Sequence, residues 1–184
     1  MLRKLGTVSG LTLVSRLLGF LRDVVLAATL GAGPVADAFM LAFRLPNHFR
    51  ALLAEGAFNA AFVPMFAKKL EGEEGAGKFA RDAFNGLSLV VLALTALGMV
   101  FMPALVWLTA EGFVGDARFD MTVEFGRIAF PYILCMSLSA LFSGILNATG
   151  RFAVAAAAPV LLNIFVIAAM TFAALTGGDV ALWL

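Results

Sequence analysis

Residues 83–109, AFNGLSLVVLALTALGMVFMPALVWLT, contain no charged side chain, and the interval from Asp82 to Glu111 is one of three such gaps. The others run from Arg127 to Arg151 and from Arg151 to Asp179. A helix crosses a bilayer with about 20 apolar residues, and uncharged runs beyond about 18 mark candidates. The stretches 83–109, 127–149 and 154–176 therefore predict spanning helices. A further apolar segment, 180–184, reads as the start of another, cut at Leu184 rather than ended there.

The whole chain has the same character. Of 184 residues, 62% are hydrophobic and 14% charged, and the mean hydropathy is +0.99. Soluble domains hold about 45–50% apolar and about 25% charged residues, which excludes a soluble globule. With 13 basic and 12 acidic side chains the net charge is +1, so there is no electrostatic case for a nucleic-acid partner. One cysteine, Cys135, and one histidine, His48, exclude an internal disulfide and a Cys/His metal cluster. His48 lacks an acid or nucleophile at a motif spacing, and no glycine-rich phosphate loop is present. No catalytic residue and no cofactor are expected.

Two more helices are expected in the first half, 5–30 and 35–66, separated by Gly31-Ala32-Gly33-Pro34 as a turn. Pro46 should kink the second. The basic residues Arg3, Lys4, Lys68, Lys69, Lys78, Arg81 and Arg151 fall on alternate connections. Loops 31–36 and 110–124 hold Arg118 as their one basic residue, against Glu111, Asp116, Asp120 and Glu124. The positive-inside rule then places the N-terminus in the cytoplasm, with five spans and the start of a sixth. The mixed-charge run 68–82 reads as a solvated loop.

The first two helices also carry Arg16, Arg22, Asp23, Asp37, Arg44, Arg50 and Glu55. A charge facing lipid at mid-bilayer costs about 2.5–3.5 kcal/mol, so Arg16, Arg22 and Asp23 together would cost roughly 8–10 kcal/mol. That rivals the stability of a typical domain. They must face protein or a wet cavity. Ser9, Arg16 and Asp23 are seven apart and share one stripe of a helix, with Thr12 nearby. Arg22 and Asp23, being adjacent, are not expected to pair along a helix face, which sends their partners to other helices or to a ligand. Two readings stay open. The charges could be ion pairs that hold the two helices together, or the arginines could line a cavity for an anionic, phosphorylated group. All four cations are arginine, whose planar fork suits phosphate and keeps its charge when buried.

The motifs Ser15-Arg16-Leu17-Leu18-Gly19-Phe20-Leu21-Arg22-Asp23, Gly31-Ala32-Gly33, Ala36-Asp37-Ala38-Phe39 and Ala42-Phe43-Arg44-Leu45-Pro46-Asn47 follow in order. Ala54-Glu55-Gly56-Ala57-Phe58, Ala61-Phe62-Val63-Pro64, Phe130-Pro131-Tyr132-Ile133-Leu134, Gly144-Ile145-Leu146-Asn147, Ala158-Pro159 and Leu162-Asn163 continue the series. With these motifs the chain resembles the MurJ (MviN) lipid II flippase family of bacteria. The resemblance implies an all-α polytopic protein of the cytoplasmic (inner) membrane, and residues 1–184 as a single helical lobe, the N-terminal one of two. It implies a flippase that moves undecaprenyl-pyrophosphate-linked peptidoglycan precursor between leaflets by alternating access, among membrane lipids. It further implies Arg16, Arg22 and Arg50 as pyrophosphate-binding cavity residues, with Asp23, Asp37, Arg44 and Glu55 in gating or ion-pair support. The family has about fourteen spans, so the C-terminal helices needed for a transport cycle are missing from these residues. Another exporter of the superfamily, for a drug or another lipid-linked oligosaccharide, and an inert structural fragment are the alternatives.

Overall fold

Hydrocarbon offers backbone N–H and C=O groups no partner, so an apolar chain has to bond to itself, and a helix does so within one segment. The computed structural model describes residues 2–50, 58–72 and 75–176, and every regular element among them is helical. The elements are α1 (Leu2–Leu30), α2 (Pro34–Arg50), α3 (Phe58–Glu71), α4 (Ala76–Val100), α5 (Met102–Thr109), α6 (Ala117–Ala129), α7 (Tyr132–Ala148) and α8 (Phe152–Thr176). A 3-10 turn, Glu111–Phe113, stands between α5 and α6.

Several boundaries differ from the sequence reading, each for a local reason. The expected 83–109 helix is two helices, α4 and α5, that meet at Phe101. Pro103, near the start of α5, has no N–H for the carbonyl one turn back, that of Met99. Arg127 of α6 replaces it, donating from Nε to the Met99 oxygen at 3.1 Å. The expected loop 110–124 is largely helical, because Asp116 caps α6 by accepting from the backbone N–H of Arg118 at 3.1 Å. The span predicted at 127–149 thus begins at Ala117 and is divided where Phe130-Pro131 joins α6 to α7. The run 68–82 is not simply a loop either. Lys68 and Lys69 complete α3, and Lys78, Arg81 and Asp82 ride on the opening turns of α4. In place of one helix over 35–66 there are α2 and, running on to Glu71, α3, with buried Pro46 inside α2; residues 51–57 between them, and segment 180–184, lie outside the described residues.

Tight turns return the chain through the fold. After α7, Gly150 takes a left-handed conformation (φ 75°). The N–H of Arg151 then reaches the Leu146 carbonyl at 2.8 Å and that of Gly150 the Asn147 carbonyl at 3.0 Å. This double bond pattern terminates a helix while satisfying its last carbonyls.

Packing follows the apolar spacing. On α4, Leu87, Val91, Thr95 and Gly98 are buried, and on α7, Ile133, Ser137, Leu141 and Gly144 are. Steps of three and four place each set on one face. α7 lies at the centre, against α2, α3, α4 and α8, while α1 packs along α8 and α2 along α6. Gly98 lets the Phe130 ring lie directly on the α4 backbone. Leu89, Trp107, Leu108, Phe165 and Leu175 project outward, where hydrocarbon suits them. Three stretches of the described residues, Ala76–Val100, Ala117–Ala148 and Phe152–Thr176, are long and apolar enough to cross a membrane. Arg16, Arg22 and Asp23 interrupt the apolar run of α1, and α2 has only 17 residues.

Candidate anion site on the first helix

Arg22 is the best-held of the predicted site residues. Its Nε and Nη2 both donate to Asp23 Oδ1, at 3.0 and 2.8 Å. The expectation that these adjacent residues cannot pair is therefore corrected. Their Cβ atoms diverge around the helix, but the long arginine side chain bends back and presents its side edge to a single carboxylate oxygen. The pair is half-open, with side-chain exposures of 34% for Arg22 and 63% for Asp23.

The third contact comes from α8, where Asn163 is a buried amide in an otherwise apolar helix. Arg22 Nη1 donates to Asn163 Oδ1 at 3.1 Å, and Asn163 Nδ2 donates to the Ser15 carbonyl at 3.1 Å. Arginine can only donate, so the amide oxygen has to face it and the NH2 is left for the carbonyl. The Ser15 oxygen has a second lone pair beside its helical bond, which makes it available. α1 and α8 approach closely here, since a Cβ at Gly19 would lie 3.6 Å from Asn163 Nδ2. Sequence reasoning noted Asn163 only within a motif and assigned it no role. The usable signal was an amide inside an uncharged span, where an intramembrane polar residue is a functional candidate by default.

The described residues engage three of the five guanidinium N–H groups of Arg22, which leaves one on each terminal nitrogen without a partner among them. Two N–H groups on neighbouring nitrogens form the fork that receives a phosphate or carboxylate. Arg16, on the stripe shared with Asp23, is exposed and has no side-chain partner among the described residues. The polar stripe of α1, Ser9, Thr12, Arg16 and Asp23, is exposed throughout.

The other predicted residues lie apart from this pair. Asp37, at the start of α2, faces Arg118 of α6 at 3.6 Å, and Arg118 is bound more tightly to Asp116 at 2.7 Å. The Arg118 side chain holds the Asp116 carboxyl below its usual value, with its backbone N–H adding to the effect. Arg118 also stacks its guanidinium over the Phe113 ring, 4.5 Å from the centroid. Arg118 thus sits on α6 rather than in the expected 110–124 loop, and it links α6 to the start of α2. Arg44 is exposed beside a cleft of about 260 Å³ lined by Leu41, Arg44, Leu45, His48 and Thr109. His48 Nδ1 lies 2.9 Å from the Arg44 carbonyl, which accounts for one ring nitrogen within its own helix. Arg50 ends α2, and its side chain and Glu55 lie outside the described residues. Among the described residues no ion pair links α1 to α2.

Comparison with known proteins gives a consistent result. The family model described as "Lipid II flippase MurJ" matches residues 26–184. The "Probable lipid II flippase MurJ" of Rhizobium meliloti (strain 1021) is 51% identical over 183 residues, covering 97% of this chain and 34% of the relative. The "Lipid II flippase MurJ" of Burkholderia cenocepacia is 41% identical over 175 residues, covering 94% of this chain and 34% of the relative. A solved structure, "Lipid II flippase MurJ, inward closed conformation", superposes with a TM-score of 0.77 at 31% identity, covering 96% of this chain and 37% of that one. The chain thus spans about a third of the length of the curated relatives it matches.

Proposed function

Because this chain belongs to the lipid II flippase MurJ family, we propose that it forms the N-terminal lobe of a transporter that moves a lipid-linked pyrophosphate, the peptidoglycan precursor lipid II, from the inner to the outer leaflet. The observation that carries the reading is the guanidinium of Arg22, fixed on two sides and with an N–H left on each terminal nitrogen, on the helix that also exposes Arg16. Arg16, Arg22 and Arg50 capture the pyrophosphate electrostatically. Asp23 holds the side edge of Arg22 and so orients it for the substrate, in gating or ion-pair support, while Asp37, Arg44 and Glu55 support the lobe. Transport follows from rocking of this lobe against a second one supplied by further helices, with the bound headgroup exposed first to one side and then to the other. Binding and release are the whole chemistry, and no covalent step is required. The setting is a multi-pass arrangement in the bacterial inner membrane, with five spans, the start of a sixth and a cytoplasmic N-terminus.

A chimera tests this reading. Residues 1–184 replace the matching third of the Rhizobium meliloti relative, in cells depleted of their own flippase. Arg16→Ala, Arg22→Ala and Arg50→Ala are expected each to abolish growth and outer-leaflet lipid II at normal protein levels. If all three support growth as the unmutated chimera does, the cavity assignment is wrong.

A further inference from the structure

Among the described residues, Asn163 is the one outside α1 whose side chain hydrogen-bonds within the candidate anion site. Its neighbours on α8 are apolar: Leu161, Leu162, Ile164 and Phe165. A buried amide that lacked partners would cost about 1–3 kcal/mol, and here both ends are satisfied by α1. The two bonds do different things. The donation to the Ser15 carbonyl fastens α8 to the α1 backbone, and acceptance from Arg22 Nη1 sets the angle of the guanidinium plane.

We propose that Asn163 is a positioning residue for anion recognition: its amide oxygen holds Arg22 Nη1 from α8, so that the two remaining terminal N–H groups stay paired in one plane for a lipid-linked pyrophosphate. The inference rests on the substrate reading above and deepens it. The side edge of the guanidinium is taken by Asp23 through Nε and Nη2. Without a second anchor the planar group can swing about that edge, and each orientation it gains is entropy lost again on binding. An anchor on the Nη1 hydrogen that faces back toward Cδ removes this freedom and leaves the end edge between Nη1 and Nη2 for the anion. A neutral amide is the suitable acceptor, because a second carboxylate would repel the incoming anion. Coupling to α8 has a further consequence, since any shift of α8 along α1 moves Nη1 off its acceptor and loosens the fork.

The test uses the full-length chimera described above, with residues 1–184 in place of the matching third of the Rhizobium meliloti relative, in lipid nanodiscs, titrated with undecaprenyl pyrophosphate, with undecaprenol and inorganic pyrophosphate as the tail-only and headgroup-only arms. Arg22→Ala, Asn163→Ala, the double variant and Asn163→Gln are compared at matched melting temperature. Asn163→Ala is expected to weaken undecaprenyl pyrophosphate binding about tenfold (about 1.4 kcal/mol) and inorganic pyrophosphate binding in proportion. The same change in the Arg22→Ala background is expected to have no further effect, since the amide acts through the guanidinium. Asn163→Gln, which keeps the amide oxygen, is expected to bind within about threefold of the parent, and Asn163→Leu, close in volume but without an acceptor, takes the place of Asn163→Ala in the cycle should the latter fail to fold. Equal losses from Asn163→Ala in both backgrounds, or none in either, overturn the inference while leaving the substrate reading intact. Identical binding by the parent chimera and its Arg22→Ala variant, or none by the parent chimera, overturns the substrate reading and this inference with it.

Discussion

Replacing Arg127 by methionine removes the donor that reaches the Met99 carbonyl from α6. That carbonyl is orphaned by Pro103, which sits where the next helical turn would supply an N–H. A hydrogen bond from a charged donor contributes about 1.5–3 kcal/mol when sheltered. Arg127 is exposed, so water competes for both partners and the expected loss is smaller, about 1 kcal/mol. Its position at the C-terminal end of α4, the negative end of the helix dipole, acts in the same direction. Pro103→Ala restores an N–H to the carbonyl, so Arg127→Met in that background should cost less than about 0.3 kcal/mol. Unfolding of the chain by SDS titration in mixed micelles, followed by circular dichroism, measures all four corners of the cycle. An Arg127→Met cost that is the same with and without Pro103 would refute the idea that the arginine stands in for the missing backbone donor.

Two other outcomes follow from the same packing and charge arrangement. Gly98→Ala puts a Cβ into the Phe130 ring, which is buried at 2% exposure and must shift to admit it, so a loss of about 1–3 kcal/mol is expected in the same unfolding assay. Asp116 has its carboxyl lowered in the fold by Arg118, so the stability it contributes is present above the unfolded carboxylate value of about 3.9 and is lost as pH falls through the lower folded value. Melting temperature against pH should therefore fall more gently in Asp116→Asn than in the parent across that acidic window, and parallel curves would exclude the pairing.

The residues of α1 show how far composition and spacing reach. That Arg16, Arg22 and Asp23 needed partners or an aqueous face could be argued from the cost of charge in hydrocarbon. Which partners they found could not. A heptad spacing describes where Cβ atoms emerge, whereas Arg22 reaches Asp23 through several freely rotating bonds and reaches Asn163 across 141 positions of sequence. The helix ends divide in the same manner. Gly150 and its turn lie within a few residues of α7 and are locally coded, while the break between α4 and α5 is completed by Arg127, 28 positions away from the carbonyl it satisfies.

The uncharged runs, the helical class and the exceptional charges of the first two helices were determined by sequence alone, because water and hydrocarbon discriminate among side chains residue by residue. Motif order pointed to the family for the same linear reason. Only the tertiary structure decided that α8 lies along α1, that Asn163 anchors the guanidinium of Arg22, and that Arg118 ties α6 to the start of α2. Hydrogen bonds act over about 3 Å, and proximity on that scale is a property of packed helices rather than of chain order.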